Sequence, residues 1–225
     1  MHTGNGQVTE LILADGYRYL RVSCPPNLIP TPGQYLLGSD GADLVLPVSL
    51  FHTDSAPGGF LAAASAPVSW GPGTVLHLRG PLGRGFRLTY SARKVGLIAL
   101  DRSPARLKGL IGPALKQEAA VALVCDFNPE DLPDEVEVQP LASVPEILAW
   151  ADYLALDTGR ANVDRVRDLL GPAGHNPVVR GAQVLVHAPQ PCGGVADCGV
   201  CAVTTKSGWK LACKDGPVLE WREFL

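Results

Sequence analysis

The chain has 225 residues, enough for one large domain or two modest ones, and its 46% hydrophobic and 18% charged content suits a globular protein with a sizeable core rather than a disordered or fibrous one. The formal net charge is −3, with acids and bases mixed and no lysine–arginine run, so nucleic acid is not an expected partner. No stretch of about 18 apolar residues is present to span a membrane, and "MHTGNGQVTE" lacks a charged region followed by an apolar run, so no signal peptide is read and the expected location is cytoplasmic.

The first half is punctuated by glycine and proline, as in a set of short strands and turns. "QVTELILADGYRYLRVSC" (7–24) reads as two strands about a turn at Asp15-Gly16. Further strands are expected at 33–39, 44–53 and 59–66. "GTVLHLRGPLG" (73–83) alternates apolar and polar residues and runs into a glycine-rich turn, and Gly71–Thr74 reads as a tight turn before it. Strands at such short spacing predict a small antiparallel barrel over residues 1–90.

The pattern then changes. "KVGLIAL" (94–100) and "AVALVCDF" (120–127) are buried-strand runs, and 103–119 has helical spacing with Ser103 as N-cap and Pro104 in the first helical position. A short strand at 136–141, a helix at 144–151, a strand at 152–159, a helix at 162–172 and a strand at 182–188 follow. Strand alternating with helix predicts a parallel sheet with crossover helices over 91–188. Residues 189–225 form a cysteine-rich segment. The expected class is therefore α+β multidomain: an antiparallel barrel, a Rossmann-like α/β domain and a small cysteine segment.

Four of the six cysteines fall in that segment, as C-x5-C-x2-C-x11-C: Cys192, Cys198, Cys201 and Cys213. The plant-type 2Fe-2S spacing is C-x4-C-x2-C with a distant fourth cysteine, so the first loop is one residue longer here. Thiolates converging on an anionic cluster need a tight loop with inward-pointing backbone N–H groups, and Gly193, Gly194 and Gly199 permit the positive φ angles this requires. Zinc is the stronger rival, but structural zinc sites usually use two C-x2-C pairs and only one is present. A reducing compartment argues against disulfides. Cys24 and Cys125 lie in strand-like runs and read as core. The five histidines are scattered without ligand spacing; His187, five residues before Cys192, reads as a strand-end residue. No Ser-His-Asp or paired-carboxylate arrangement suggests a hydrolase.

The tail "CGGVADCGVC…LACKDGPVLEW" resembles the C-terminal segment of the electron-transfer subunit of class 1B dihydroorotate dehydrogenase. "PGQYLLG" (32–38) resembles that family's P-G-Q-F strand, and "GPLGRGF" (80–86) its G-P-L-G-x-G-F turn. The resemblance implies a flavin-binding barrel, a Rossmann-like nucleotide domain and a 2Fe-2S segment that passes electrons between FAD and a catalytic redox subunit in a hetero-oligomer. It implies the four cysteines as cluster ligands, and Gln34, Tyr35, Pro47, Val48, Ser49, Gly80, Pro81, Leu82 and Gly83 as flavin contacts.

Two departures stand out. The family's R-P-x-S stretch is Leu46, Pro47, Val48, Ser49 here, so the forked phosphate contact of a guanidinium is missing; Arg79 and Arg84 are the candidates to replace it. The first α/β turn, "LIALDRSPARLKG", lacks glycine before Gly109 and puts Asp101 beside the expected phosphate position, so NAD(P) binding is not expected. The alternative reading is a non-catalytic, cluster-carrying assembly subunit that has lost both FAD and NAD(P) binding, and a zinc-binding interaction module is a third. Lys214 and Asp215 are expected either to tune the cluster or to form a solvated turn.

Overall fold

The computed structural model describes residues 1–14, 17–42, 46–101, 103–127, 129–173 and 175–224. The expected turn at Asp15-Gly16 and the start of the 44–53 strand lie outside these residues. Six strands close an antiparallel barrel: β1 (His2–Ala14), β2 (Tyr17–Ser23), β3 (Tyr35–Ser39), β4 (Val48–Ala56), β5 (Gly59–Ala63) and β6 (Val75–Leu82), in the order β1-β2-β5-β4-β3-β6. The alternation of residues 75–82 is realised almost residue by residue. Leu76, Leu78 and Leu82 point into apolar cores while Val75 and His77 face out. Thr74 N–H donates to the Gly71 carbonyl at 3.0 Å, closing the expected tight turn.

The second unit is built from β7 (Lys94–Ala99), α1 (Ala105–Lys108), α2 (Ile111–Lys116), β8 (Ala120–Val124), β9 (Val136–Gln139), α3 (Val144–Trp150), β10 (Tyr153–Gly159), α4 (Val163–Leu170), α5 (Pro177–Arg180) and β11 (Gln183–His187). The five strands are parallel, and one apolar cluster covers each face of the sheet. The expected single helix over 103–119 is two short ones. Pro113 has no N–H for the carbonyl of Gly109, four residues back, which interrupts the ladder. The N-cap position of α1 belongs to Pro104; Ser103 Oγ instead accepts from the Ala105 N–H at 3.2 Å. At Gly109 any Cβ would lie 2.7 Å from His52 Nδ1, so the helical region packs directly on barrel strand β4.

The cysteine segment adds a hairpin, β12 (Ala202–Thr205) with β13 (Gly208–Leu211), and a last strand, β14 (Val218–Glu220). β14 pairs antiparallel with β11 and gives the α/β sheet its sixth strand, in the order β14-β11-β10-β7-β8-β9. Trp221 is fully buried beyond it and stacks on Phe224 at 5.9 Å. Burying a large side chain of this kind contributes about 3 kcal/mol, so the tail is held by its own core as well as by sheet pairing. Among the described residues, no helix is long and apolar enough to cross a membrane.

Candidate cluster site and adjoining cleft

The register of the β12–β13 hairpin assembles half of the cysteine site. Ala202 pairs with Leu211, and the Ala212 N–H donates to the Cys201 carbonyl at 3.1 Å. The chain entering the hairpin and the chain leaving it therefore run side by side, and Cys201 Sγ lies 3.2 Å from Cys213 Sγ. The other half is the loop 192–198, which folds back so that Cys192 Sγ and Cys198 Sγ lie 3.6 Å apart. Gly193, Gly194 and Gly199 all have positive φ, as the cluster loop requires. All four sulfurs are thiols, not disulfides. The two contacts share a neighbourhood, because Cys192 also lies within reach of Cys213. Four thiols gathered in a glycine-rich loop are the donor set a 2Fe-2S centre would need, and the metal itself is decided by analysis of the protein.

The two pairs differ in setting. Cys201 and Cys213 are buried, Cys192 is half-buried and Cys198 is exposed. Hydrogen bonding from the Ala196 backbone, helped by that of Gly194, holds the Cys192 thiol down at about 7. Burial pushes Cys213 up to about 12.

The loop is fastened to the barrel. Arg79 Nη2 donates to the Cys192 carbonyl at 2.6 Å, and a Cβ on Gly193 would meet Arg79 Nη2 at 2.5 Å and Leu37 Cδ1 at 2.6 Å. The 80–86 turn meets the other end of the tail. The Arg84 N–H donates to the Gly216 carbonyl at 2.6 Å, and Gly83 (φ +75°) would drive any Cβ to 2.8 Å from that same oxygen. Lys214 and Asp197 form an ion pair linking the loop to the fourth cysteine, while Asp215 Oδ2 accepts from the Leu211 N–H at 2.8 Å within its own turn.

Beside the cysteines lies a cleft of about 1250 Å³ between the barrel and the α/β sheet, larger than the usual small-molecule pocket. Pro47, Val48 and Ser49 line its barrel side, together with Phe51. The other expected flavin contacts are elsewhere. Gln34 donates from Nε2 to the Gly83 carbonyl at 3.1 Å. Tyr35 is fully buried. The turn Gly80, Pro81, Leu82 and Gly83 backs the cysteine tail. Arg79 and Arg84, the candidate phosphate partners, likewise face the tail. Leu46 stands exposed at the cleft rim.

The opposite wall is the carboxyl end of the sheet where β7 adjoins β10, the point at which strand order reverses. Asp101 sits there and accepts from the Gly159 N–H at 2.5 Å, from Asn162 Nδ2 at 2.8 Å and from His187 Nε2 at 3.0 Å. Burial pushes its carboxyl up, but these hydrogen bonds win and hold it at about 2. His187 is thereby a strand-end partner of Asp101. Deeper in, buried Arg106 holds the fully buried Asp157 carboxylate at 3.0 Å, with its guanidinium 6.0 Å from the Phe51 ring centre. Arg160 and Arg165 add two further cations to this wall.

The tail completes the cleft. Gln190, Pro191 and Val200 line it, and they flank Cys192 and Cys201 in sequence. Gln190 is 3% exposed, and neither atom of its amide has a hydrogen-bond partner. The cysteine spacing pointed to this segment; nothing local in the sequence marks Gln190, which acquires its meaning only where three separate pieces of chain meet.

Barrel and α/β sheet together give a ferredoxin-reductase-like fold, and the tail that closes it carries the four cysteines. Residues 192–225 match the iron–sulfur cluster binding domain of dihydroorotate dehydrogenase B, and the cysteine segment is of that kind. An NADH-dependent reduced ferredoxin–NADP oxidoreductase, described in connection with flavin-based electron bifurcation, shares the fold over 97% of this chain and 88% of its own, with 16% identity and a TM-score of 0.75. Phthalate dioxygenase reductase, described as transferring electrons from pyridine nucleotides to 2Fe-2S, covers 78% of this chain and 65% of its own at 12% identity and TM-score 0.54. A ferredoxin NADP+ reductase from Neisseria gonorrhoeae with bound FAD and NADP covers 83% and 99% at 10% identity and TM-score 0.56. No curated relative matches the chain.

Proposed function

We propose that this chain is the electron-transfer subunit of a redox enzyme resembling dihydroorotate dehydrogenase B, with a 2Fe-2S cluster on Cys192, Cys198, Cys201 and Cys213 and FAD in the adjoining cleft. The observation that carries this reading is the shared wall: Gln190, Pro191 and Val200 line the cleft and flank two of the four cysteines. Cofactors held on either side of one wall exchange electrons over a short path. The cluster supplies one-electron storage, and FAD supplies the exchange between paired and single electrons.

The residues fit both groups. The paired thiols suit the two irons. On the flavin side, Pro47, Val48 and Phe51 offer an apolar surface for a ring, and Ser49 a hydroxyl at its edge. The Gln190 amide offers a donor and an acceptor, both unspent, and an aromatic ring edge with alternating carbonyl and N–H groups satisfies both. Arg160 and Arg165 on the facing wall each spend one N–H on a backbone carbonyl, Val200 and Leu100 respectively, and keep further N–H groups for the cationic role left open by Leu46. The tail holds the cysteines in place through Arg79 and the Gly216 carbonyl, so the distance from cleft to cluster is set by backbone contacts. Cys198 gives the cluster an exposed edge, where a catalytic partner subunit would receive or deliver electrons. Asp101, ionised above about pH 2, puts a negative charge at the sheet's switch point and supports the expectation that NAD(P) is not bound there in the usual way.

A cluster-only assembly subunit is less well supported, because a cleft of this size with an unpartnered buried amide fits a resident cofactor. The test is anaerobic purification of the chain with its partner, followed by iron, sulfide, zinc and acid-released flavin analysis. About two irons, two sulfides and one flavin per chain are expected. Zinc in place of iron overturns the cluster assignment. Iron without flavin, even after reconstitution, returns the cluster-only reading.

A further inference from the structure

Tyr35 is fully buried, and its hydroxyl has no hydrogen-bond partner. Phenylalanine would fill the same space without an oxygen, and a buried hydroxyl left unsatisfied is costly. Its surroundings say what the oxygen serves. Tyr35 lies opposite Leu82 in the barrel ladder, and Leu82 Cδ1 stands 3.0 Å from where a Gly193 Cβ would be. Tyr35 Cε1 is 3.2 Å from the corresponding point on Gly83, the glycine packed against Gly216 and Pro217 just beyond Cys213. Leu37, the next residue on the same face of β3, touches the cysteine loop at Gly193. The ring is thus walled in by the two ends of the cluster tail. On its other side it meets Phe51, with ring centres 5.4 Å apart, and Phe51 lines the cleft. Burial holds the ionisation of the Tyr35 phenol well above the ordinary range. It stays a donor.

Resting on the cluster reading above, we propose that the Tyr35 hydroxyl donates a hydrogen bond to a sulfur of the 2Fe-2S centre on its buried side, the Cys201–Cys213 side, and raises the reduction potential of that centre. Reduction adds one negative charge to the cluster, and a donor aimed at sulfur stabilises the reduced state more than the oxidised one. Tyr35 is a positioning and tuning residue; it neither ligates iron nor reacts.

The test uses the full chain with its partner, wild type and Tyr35→Phe, purified anaerobically. Both are expected to carry equal iron and sulfide. In a redox titration followed by electron paramagnetic resonance, Tyr35→Phe is expected to be harder to reduce. At a fixed poise its reduced-to-oxidised ratio falls about tenfold, a 59 mV shift for one electron. Electron–nuclear double resonance of the reduced wild-type cluster is expected to show a strongly coupled proton that is lost in Tyr35→Phe. Should the variant not assemble, the wild-type chain grown with tyrosine isotope-labelled at the phenol oxygen keeps the test open: a coupling of that oxygen to the reduced cluster supports the proposal, and its absence overturns it. Iron present with no such proton, or with an unchanged potential in the variant, overturns the proposal and leaves the cluster reading intact. Zinc in place of iron overturns both.

Discussion

The seam between barrel and cysteine tail and the cleft between barrel and sheet are made of different materials. The seam is dry. Leu37, Leu82 and Tyr35 meet Gly193 and Pro217 there, and backbone bonds such as Arg84 N–H to Gly216 O fix the spacing. The cleft is open and charged, with Asp101, Arg106, Arg160 and Arg165 on one wall and an apolar barrel surface on the other. Where the chain positions a compact inorganic group it uses close packing and glycine. Where it leaves room for a large organic one it sets a wall of charged side chains against an apolar one.

The largest way to break this contrast lies in the seam. Cys201→Ala and Cys213→Ala remove ligands from the buried pair and are expected to abolish iron binding entirely. Cys198→Ser, at the exposed pair, is expected to keep part of the iron, since the serine oxygen can ligate and solvent can fill the space; iron per chain checks both. Next comes the cleft wall. Arg106→Met strands the Asp157 carboxylate in the core and is expected to cost about 3–5 kcal/mol in denaturant unfolding. Adding Asp157→Leu should recover most of that loss.

A third effect falls between the two regions, at His52, where burial holds the imidazole down at about 4 against 6.5 for a free histidine. It is neutral in the fold and takes up a proton in the unfolded chain below pH 6.5. Its contribution is therefore fully present above about pH 6.5 and lost as pH falls towards 4, on the order of 3 kcal/mol in all. Unfolding measured across that window should flatten in His52→Gln. The smallest effect sharpens the comparison. Gln190→Leu should weaken flavin binding about tenfold, the worth of about one hydrogen bond, while iron content stays unchanged. Equal loss of both would mean that seam and cleft are not separable.

What the sequence disclosed follows the same division. The alternation of residues 75–82, the apolar runs at 94–99 and 153–159 and the cysteine spacing are local patterns, and each led to its element. β14 is three residues long and exists because β11 lies beside it, so no period could announce it. Gln34 and the 80–83 turn were legible as important but not in what they face. Their partners, Gly83 O for the one and Gly216–Pro217 for the other, are set by tertiary contact. Arg79 looked free to meet a phosphate until its guanidinium proved to be engaged by a carbonyl 113 positions later. The helix over 103–119 failed for a reason that was local: Pro113 interrupts the helical hydrogen-bond ladder.

The tail's two attachments carry a mechanical consequence. Through Cys192 O and Gly216 O it is tied to the barrel, and through β14 and the Trp221 N–H to Ala182 O bond it is woven into the sheet. Barrel and sheet are therefore strapped together along the side nearest the cysteines. The cleft is a slot of set width rather than a pair of jaws.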